Sequence, residues 1–297
     1  MTFKVKLTKI QELINNKLED LFNYPANIYQ EKLFDSMKYS LNSGGKRLRP
    51  ILLIETAKLF GDIDSEVYTA AIAVEMIHTY SLIHDDLPCM DNDDLRRGNP
   101  TNHIVYGVDT ALLSGDGLLN SSYELISKAA LNSNRPINVL KALSHLSMRA
   151  GVDGMIVGQV ADIESDKSDD NTALTLEYIN LNKTGALIEA SMVCGALING
   201  ASDEDIEKIS KIAFNLGLCF QLIDDILDIE GDEETLGKPV GSDEKNKKKT
   251  YPNIIGISEV KKLAFDLTIE SKKLLNHIDG DTKFLDELFD YLLTRKY

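Results

Sequence analysis

The fold class is decided by residues 65–94, which read SEVYTAAIAVEMIHTYSLIHDDLPCMDNDD. Residues 65–84 are mostly apolar and contain neither proline nor glycine, so they predict one long, largely buried helix. The apolar run ends in five aspartates within the ten residues 85–94. The stretch therefore predicts a buried helix that presents carboxylates at its C-terminal end.

Outward from this helix, apolar residues recur at helical spacing almost everywhere, for example at Ile10, Leu13, Ile14, Leu18 and Leu21 and at Phe284, Leu285, Leu288, Phe289 and Leu292. Only Phe3, Val5 and Leu7 alternate as a strand would, and an isolated strand would have no partner. Breaks are expected at Pro25, 43–45, 61–62, 98–100, 133–136, 165–172 and 199–200. Because no linker divides the chain, we predict an all-α fold with a single domain over residues 1–297.

Composition excludes several classes of protein. A chain of 297 residues with 43% hydrophobic content can bury a large core, so disorder is excluded. A formal charge of −15 argues against nucleic acid and anionic membranes as partners. The most apolar stretch, 186–198, is too short to span a bilayer, and the first residues lack a secretory signal pattern. Three cysteines without CxxC spacing fit reduced thiols in the cytoplasm.

The first acidic segment needs a cationic partner. Asp85 and Asp86 precede Pro88 at the expected end of the helix, where the helix dipole disfavours negative charge. Two carboxylates about 4 Å apart repel each other by roughly 1–4 kcal/mol, depending on solvent screening. A bound cation would offset both effects.

The second acidic segment reads QLIDDILD at 221–228. Gln221, Asp224 and Asp228 share one face of a helix whose other faces are apolar, and the segment echoes the LIHDD of 82–86. Buried carboxylates are costly unless they are paired or bind metal, and hard oxygen ligands suit Mg²⁺. The spacing does not match a calcium-binding EF-hand loop. Both segments together predict magnesium sites.

Two basic segments complement the carboxylates. Lys46, Arg47 and Arg49 follow the Gly44-Gly45 turn at a predicted helix start, where backbone donors favour an anion. Arg96 and Arg97 directly follow the first acidic segment. Aspartates that bind metal ions, together with fixed cations in an otherwise acidic protein, predict a binding site for diphosphates.

Residues 230–250 are rich in glycine and lysine. They are either a solvated loop or a lid over an anionic ligand.

Five segments, in this order, resemble the trans-prenyltransferase (polyprenyl synthase) family, and within it the bacterial farnesyl diphosphate synthases: GGKRLRP (44–50), LIHDDLPCMDNDDLRRGNPTNH (82–103), KTG (183–185), FQLIDDILD (220–228) and LGKP (236–239). The resemblance implies helices around a central cavity and a homodimer. It also implies Mg²⁺-dependent condensation of isopentenyl diphosphate with dimethylallyl and geranyl diphosphate to give farnesyl diphosphate, a step of isoprenoid biosynthesis.

The resemblance also assigns roles to individual residues. The magnesium-facing set, for several ions, is Asp85, Asp86, Asp91, Asp224, Asp225 and Asp228. The isopentenyl diphosphate site comprises Gly45, Lys46, Arg49, His78 and Arg97. The allylic diphosphate site comprises Arg96, Lys183, Thr184, Gln221, Lys238 and Lys248, although the neighbouring lysines leave the register of Lys248 open. Chain length is assigned to Tyr80 or Ser81, and the aromatic ring of Tyr80 resembles the floor that limits farnesyl synthases.

Two other functions compete with this one. A terpene cyclase or head-to-head coupling enzyme would use the aspartates but would not need the Lys46, Arg49, His78 and Arg97 set. A regulatory subunit that binds prenyl diphosphates without catalysis would be expected to lack part of an aspartate segment, and both segments are complete.

Overall fold

The computed structural model describes residues 2–167, 172–230 and 250–294. The helices are α1 (Phe3–Glu19), α2 (Ile28–Leu41), α3 (Leu48–Phe60), α4 (Ser65–Asp85), α5 (Asn102–Tyr106), α6 (Val108–Asn132), α7 (Pro136–Ala150), α8 (Met155–Asp166), α9 (Ala173–Ile179), a π-helix (Asn180–Gly185), α10 (Ala186–Ile198), α11 (Asp203–Glu230), α12 (Tyr251–Ile255), α13 (Ile257–Leu275) and α14 (Lys283–Thr294). The prediction of an all-α fold is confirmed.

Helix starts and breaks follow local chemistry. The Asp64 carboxylate caps α4 by accepting a hydrogen bond from the Val67 N–H at 3.3 Å, and Asn27 caps α2 in the same way. The alternating residues Phe3, Val5 and Leu7 lie within α1, because side-chain alternation without a neighbouring strand cannot hold a sheet. Among the described residues, the predicted breaks at Pro25, 43–45, 61–62, 98–100 and 199–200 fall between helices. The break at 133–136 includes the first residue of α7, and the break at 165–172 begins within the last turn of α8.

One small feature was not predicted. Leu95–Arg96 and Asn99–Pro100 form a two-residue antiparallel hairpin, with Arg96 paired to Asn99. Arg97 and Gly98 form its turn with positive φ values of 54° and 79°. Two residues are too few to show a strand periodicity, so the sequence pattern alone could not reveal the hairpin. Its effect is to point the two adjacent arginines in different directions.

The described geometry forms two compact units, and the prediction of a single domain stays a prediction. The first unit comprises Met1–Ile54 and Ile63–Leu143. At its centre α4 packs along α6, and the buried side chains of α4 surround the helix on all sides. This all-round burial explains why the sequence of α4 shows little amphipathic periodicity. The helix therefore holds its C-terminal aspartates on a rigid support.

The second unit comprises Glu55–Asp62 and Ser144–Tyr297. Helix α11 packs between α10 and α13, and α10 is almost entirely buried. Gly217 of α11 lies against Gly185, where an added Cβ would come within 2.9 Å of the Gly185 Cα. This close approach places the helix that carries the second acidic segment beside the π-helix. No helix in the described part of the chain is long and apolar enough to cross a membrane.

Candidate active site

The first acidic segment lies where α4 ends. The chain turns there through hydrogen bonds from the Met90 and Asn92 N–H groups to the Leu87 carbonyl, at 2.8 and 3.2 Å. The Asp91 N–H donates to the Asp85 carbonyl at 2.9 Å. This turn brings Asp91, six residues on in the sequence, next to Asp85. Asp85 is half-buried and Asp91 is exposed, so both belong to an accessible edge of the first unit.

Asp86 has a different environment from its neighbour. It is 3% exposed, and the Arg96 guanidinium holds both of its oxygens: Nε donates at 2.8 and 2.9 Å, and Nη2 lies 2.6 Å from Oδ1. Burial opposes the charge of Arg96, but the hydrogen bonds and the charge of Asp86 outweigh it and raise the pKa of Arg96. The hairpin is thereby fixed to the end of α4.

The Arg97 side chain packs against the Gly44-Gly45 turn. Arg97 Nη1 donates to the Gly44 carbonyl, and the guanidinium packs directly against the Gly45 Cα. A Cβ on Gly45 would lie 2.5 Å from Nη1, and the backbone there has a φ of 121°. The positive φ favours glycine, and a side chain at this position would displace the Arg97 guanidinium. Lys46, the next residue, is exposed.

The expectation that Arg47 faces an anion is wrong. The sequence places it among three cations that face an anion, but its φ of 51° turns it inward, where it is 4% exposed. Its Nη1 lies 2.8 Å from Glu75 Oε1, and further bonds reach Asn15 and the Leu41 carbonyl. Removing one partner from such a buried pair costs roughly 3–5 kcal/mol. Arg47 is therefore structural.

Arg49 and His78 form the centre of a positive cluster in the first unit. Arg49 Nη1 lies 3.4 Å from His78 Nε2. Burial and the nearby arginines, Arg49 and Arg97 first among them, hold the pKa of His78 well below its usual value, so the ring is neutral. Burial lowers the pKa of Arg49 to about 10, with Glu75 opposing and Arg97 adding to the fall.

This cluster has a deficit of negative charge. Within the described residues, neither Arg49 nor Arg97 forms a salt bridge, and the buried Nε of Arg49 has no hydrogen-bond partner. A buried unpaired donor is costly, and an anion on this surface would satisfy it. The cluster is therefore suited to an anion. The first unit contains all of the residues predicted for isopentenyl diphosphate: Gly45, Lys46, Arg49, His78 and Arg97.

The second acidic segment lies on α11 in the second unit. Gln221, Asp224 and Asp228 are half-buried on one face of the helix, as the spacing predicts. Asp225 is 5% exposed, and its Oδ2 accepts the Tyr251 N–H at 3.0 Å while its Oδ1 accepts Gln221 Nε2 at 3.2 Å. The pair therefore repeats the first segment: an accessible aspartate followed by a buried one.

Lys183 and Thr184 lie in the π-helix, a backbone form that is often found at functional sites. Gly158 of α8 lets this turn approach, because an added Cβ would overlap the backbone of Lys183. Lys183 Nζ forms a 2.6 Å ion pair with Asp162 Oδ2. Sequence reasoning did not identify Gly158 or Asp162; their i, i+4 spacing on one helix face is the signal that was available.

Tyr80 and Ser81 differ in burial. Tyr80 is 6% exposed, and its ring meets the His84 ring edge-on at a centroid distance of 5.7 Å. Burial, together with Tyr123 and Asp85, raises the pKa of Tyr80. Ser81 Oγ instead donates to its own helix at the His78 carbonyl, 2.8 Å away. The larger, firmly packed side chain is thus that of Tyr80.

The interior of the predicted lid, residues 231–249, lies outside the described residues, and so do Lys238 and Lys248.

The accessible carboxylates supply the oxygen ligands that magnesium prefers. Among the described residues, no three His, Cys, Asp or Glu side chains form a ready metal-binding group. Mg²⁺ typically takes one or two carboxylates and completes its shell with water and phosphate oxygens. Two accessible carboxylate sets meet that requirement, Asp85 with Asp91 and Asp224 with Asp228.

Comparison with known proteins agrees with this fold. The polyprenyl synthetase family matches residues 30–282. Farnesyl diphosphate synthase of Geobacillus stearothermophilus is 48% identical over 251 residues, which is 84% of either chain. Geranylgeranyl diphosphate synthase of Cyanophora paradoxa is 43% identical over 263 residues, covering 89% of this chain and 87% of that protein. The geranyltransferase of Helicobacter pylori, solved with magnesium and isoprenyl diphosphate, superposes with a TM-score of 0.81 at 33% identity, covering 99% and 97% of the two chains.

The all-helical fold is the one found in isoprenyl diphosphate synthases, to which the similar solved structures belong. The chain belongs to the polyprenyl synthetase family, and its activity is that of a prenyltransferase.

Proposed function

We propose that this prenyltransferase condenses isopentenyl diphosphate with dimethylallyl and then geranyl diphosphate, and releases farnesyl diphosphate. The observation that supports it best is the positive cluster of Arg49, His78 and Arg97 in the unit that also carries Asp85 and Asp91. A cyclase or coupling enzyme needs no site for a second, isopentenyl diphosphate. The Geobacillus relative is a farnesyl diphosphate synthase, which favours this product.

The proposed mechanism follows from charge. An allylic C–O bond breaks when the departing diphosphate is stabilised, and a fixed cation such as Arg96 would contribute to that stabilisation. Asp85 and Asp91 would hold magnesium, which would supply further positive charge to the departing diphosphate. Arg49, Arg97 and Lys46 would hold isopentenyl diphosphate in position. Among the described residues, neither arginine has a salt bridge, and the buried Nε of Arg49 has no hydrogen-bond partner.

The bond-forming step needs a base but no further cofactor. The isopentenyl double bond attacks the allylic cation, and the proton that the adduct then loses passes to the released diphosphate. His78 is unsuited to accept this proton, because burial and then the surrounding arginines lower its pKa. Apolar walls around the chain would keep water from the cation.

Product length is the finer part of the proposal, because relatives of this chain include both farnesyl and geranylgeranyl synthases. Purified protein would be incubated with Mg²⁺, isopentenyl diphosphate and dimethylallyl diphosphate, and the products sized by chromatography after dephosphorylation. We expect farnesol as the main alcohol. Geranylgeraniol as the main alcohol would contradict the farnesyl assignment while leaving the prenyltransferase class intact.

We also propose a cytoplasmic homodimer with one catalytic domain in each chain. Exposed apolar side chains follow one another along α5 and the start of α6, at Ile104 (52% exposed), Val108 (48%), Leu112 (45%) and Leu113 (57%). Such a contiguous apolar patch is typical of an interface. The thiols of Cys89, Cys194 and Cys219 form no disulfide, which suits a reducing compartment.

The interface has a simple test. Wild type should sediment at twice the chain mass of 33.0 kDa, and Leu113→Asp should sediment as a monomer, because the patch cannot bury an unpaired carboxylate. A variant that stays dimeric would place the interface on another surface.

The isopentenyl site predicts a difference between two adjacent glycines. Gly44→Ala and Gly45→Ala both strain a positive-φ backbone, but only at Gly45 would the added Cβ meet the Arg97 guanidinium. We expect the KM for isopentenyl diphosphate to rise about tenfold more in Gly45→Ala than in Gly44→Ala, with the KM for geranyl diphosphate little changed. Equal effects of the two variants on both substrates would refute the role of Arg97 at this turn.

A further inference from the structure

The four residues 44–47, which precede α3, form a turn whose backbone must be held by other parts of the chain. Gly44, Gly45 and Arg47 have φ values of 86°, 121° and 51°. A positive φ is costly for a residue with a side chain, and it persists where the surrounding contacts fix it. The exposed Lys46 lies within the 44–47 turn, so the contacts that hold the turn also fix the backbone from which this lysine extends.

Two side chains of α1 supply such contacts. Gln11 Nε2 donates to the Lys46 carbonyl at 2.8 Å, and Arg47 Nε donates to Asn15 Oδ1 at 2.8 Å. We infer that Gln11 and Asn15 are positioning residues for isopentenyl diphosphate, which act by holding the 44–47 turn. The inference rests on the proposed function. The family match begins at residue 30, so it assigns no role to α1.

Helix α1 is itself anchored in the first unit. Gln11 and Asn15 are four residues apart and therefore lie on one face of the helix, one turn from each other. Ile14 and Leu18 are 1% and 0% exposed, and α1 contacts both α2 and α4. Because these apolar contacts hold the helix, its two polar side chains give the 44–47 turn a fixed support, and the apolar contacts remain when either polar side chain is changed.

The hydrogen bond from Gln11 fixes the plane of one peptide. The Lys46 carbonyl belongs to the peptide that joins Lys46 to Arg47, and a planar peptide rotates as a unit. Its orientation sets ψ of Lys46 and φ of Arg47. Gly45, which packs against the Arg97 guanidinium, directly precedes Lys46. Loss of the bond would let this peptide rotate, which would displace the Lys46 side chain and disturb the contact with Arg97.

The hydrogen bond to Asn15 completes the coordination of the Arg47 guanidinium. Nη1 of Arg47 lies 2.8 Å from Glu75 Oε1, and Nη2 donates to the Leu41 carbonyl at 2.7 Å. These two contacts remain when Asn15 is changed, so Arg47 keeps its buried counter-charge and the fold should persist. The guanidinium is then held at one end only, and the backbone of the 44–47 turn is less constrained.

The donor role of Gln11 is tested by an isosteric change. Gln11→Glu keeps the size of the side chain but replaces the donor with a carboxylate, which cannot donate to the Lys46 carbonyl. We expect the KM for isopentenyl diphosphate to rise about tenfold and the KM for geranyl diphosphate to change less than about twofold. Asn16→Asp makes the same change of amide to carboxylate at an exposed position of α1 and should leave both KM values unchanged. Equal rises for both substrates in Gln11→Glu would overturn the inference.

The acceptor role of Asn15 is tested by rescue. Asn15→Ala removes the acceptor of Arg47 Nε, whereas Asn15→Asp retains one. The KM for isopentenyl diphosphate should rise about tenfold in Asn15→Ala and stay within about twofold of wild type in Asn15→Asp. A purely structural role would lower the melting temperature of Asn15→Ala without separating the two substrates, and that result would overturn the inference. If Asn15→Ala does not fold, Gln11→Glu decides the test alone.

Arg97→Ala separates this inference from the proposed function, since Arg97 belongs to the isopentenyl site itself. A raised KM for isopentenyl diphosphate in Arg97→Ala, with wild-type values in Gln11→Glu and Asn15→Ala, would overturn the inference alone. A wild-type KM in all three variants would overturn the assignment of the isopentenyl site and the inference with it. A wild-type protein that incorporates no isopentenyl unit would overturn the proposed function.

Discussion

Asp85→Asn and Asp224→Asn are each expected to lower kcat about a thousandfold or more, because each removes a carboxylate that holds positive charge against the departing diphosphate. The effect should fall on kcat rather than on KM alone, since charge on the leaving group is greatest in the transition state. Steady-state kinetics at saturating Mg²⁺ would measure it. Near-normal turnover in either variant would contradict the metal assignment.

Controls can separate this loss from unfolding. Asp94→Asn at the end of the first segment and Glu207→Gln near the start of α11 remove exposed carboxylates that lie outside the predicted magnesium set, so both should retain wild-type kcat. Asp85→Asn should also leave the apo melting temperature unchanged or slightly higher, because Asp85 is the last residue of α4 and a carboxylate there opposes the helix dipole. A clear fall in melting temperature would contradict that electrostatic explanation.

The second large effect concerns product length. Tyr80→Ala should change the main product from farnesyl to geranylgeranyl diphosphate or longer, with substantial isopentenyl incorporation retained. Tyr80 lies five residues before Asp85 on α4, which is about 7.5 Å along a helix, and its buried ring packs on His84. Its removal opens volume without changing the charged groups. Radiolabelled products would be sized by chromatography.

Two variants serve as controls for the proposal that the Tyr80 ring limits product length. Tyr80→Phe keeps the ring and should keep farnesyl diphosphate as the product, and Ser81→Ala should do the same because Ser81 contributes only a small side chain bonded to its own helix. If Tyr80→Ala remains active and still stops at farnesyl diphosphate, the chain is limited elsewhere.

The helices and their breaks were predictable because both depend on local information. Burial on one or all faces gives α4 and α11 their apolar runs, and capping residues such as Asp64 mark helix starts in the sequence. The acidic segments were predictable for a related reason. Aspartates at the end of an apolar helix are unfavourable without a partner, so their presence alone indicates bound cations.

Other features depend on distant parts of the chain and left no local signal. Arg47 and Arg49 are two residues apart and chemically identical in sequence, yet a positive φ and the buried Glu75 of α4 turn Arg47 inward. Likewise, the sequence of the two Asp-Asp pairs does not indicate that the first aspartate is accessible and the second is buried. The distinction comes from Arg96 and Tyr251, whose positions are fixed only by tertiary packing.

The central claim is that each condensation joins one isopentenyl unit and releases one diphosphate, with magnesium required. The most direct measurement follows both quantities in one reaction: incorporation of radiolabelled isopentenyl diphosphate and release of inorganic diphosphate, with geranyl diphosphate as the allylic substrate, in Mg²⁺ and in EDTA. We predict equal amounts of the two in Mg²⁺ and neither in EDTA. Release of diphosphate without isopentenyl incorporation would indicate a cyclase or a hydrolase, and would contradict the account.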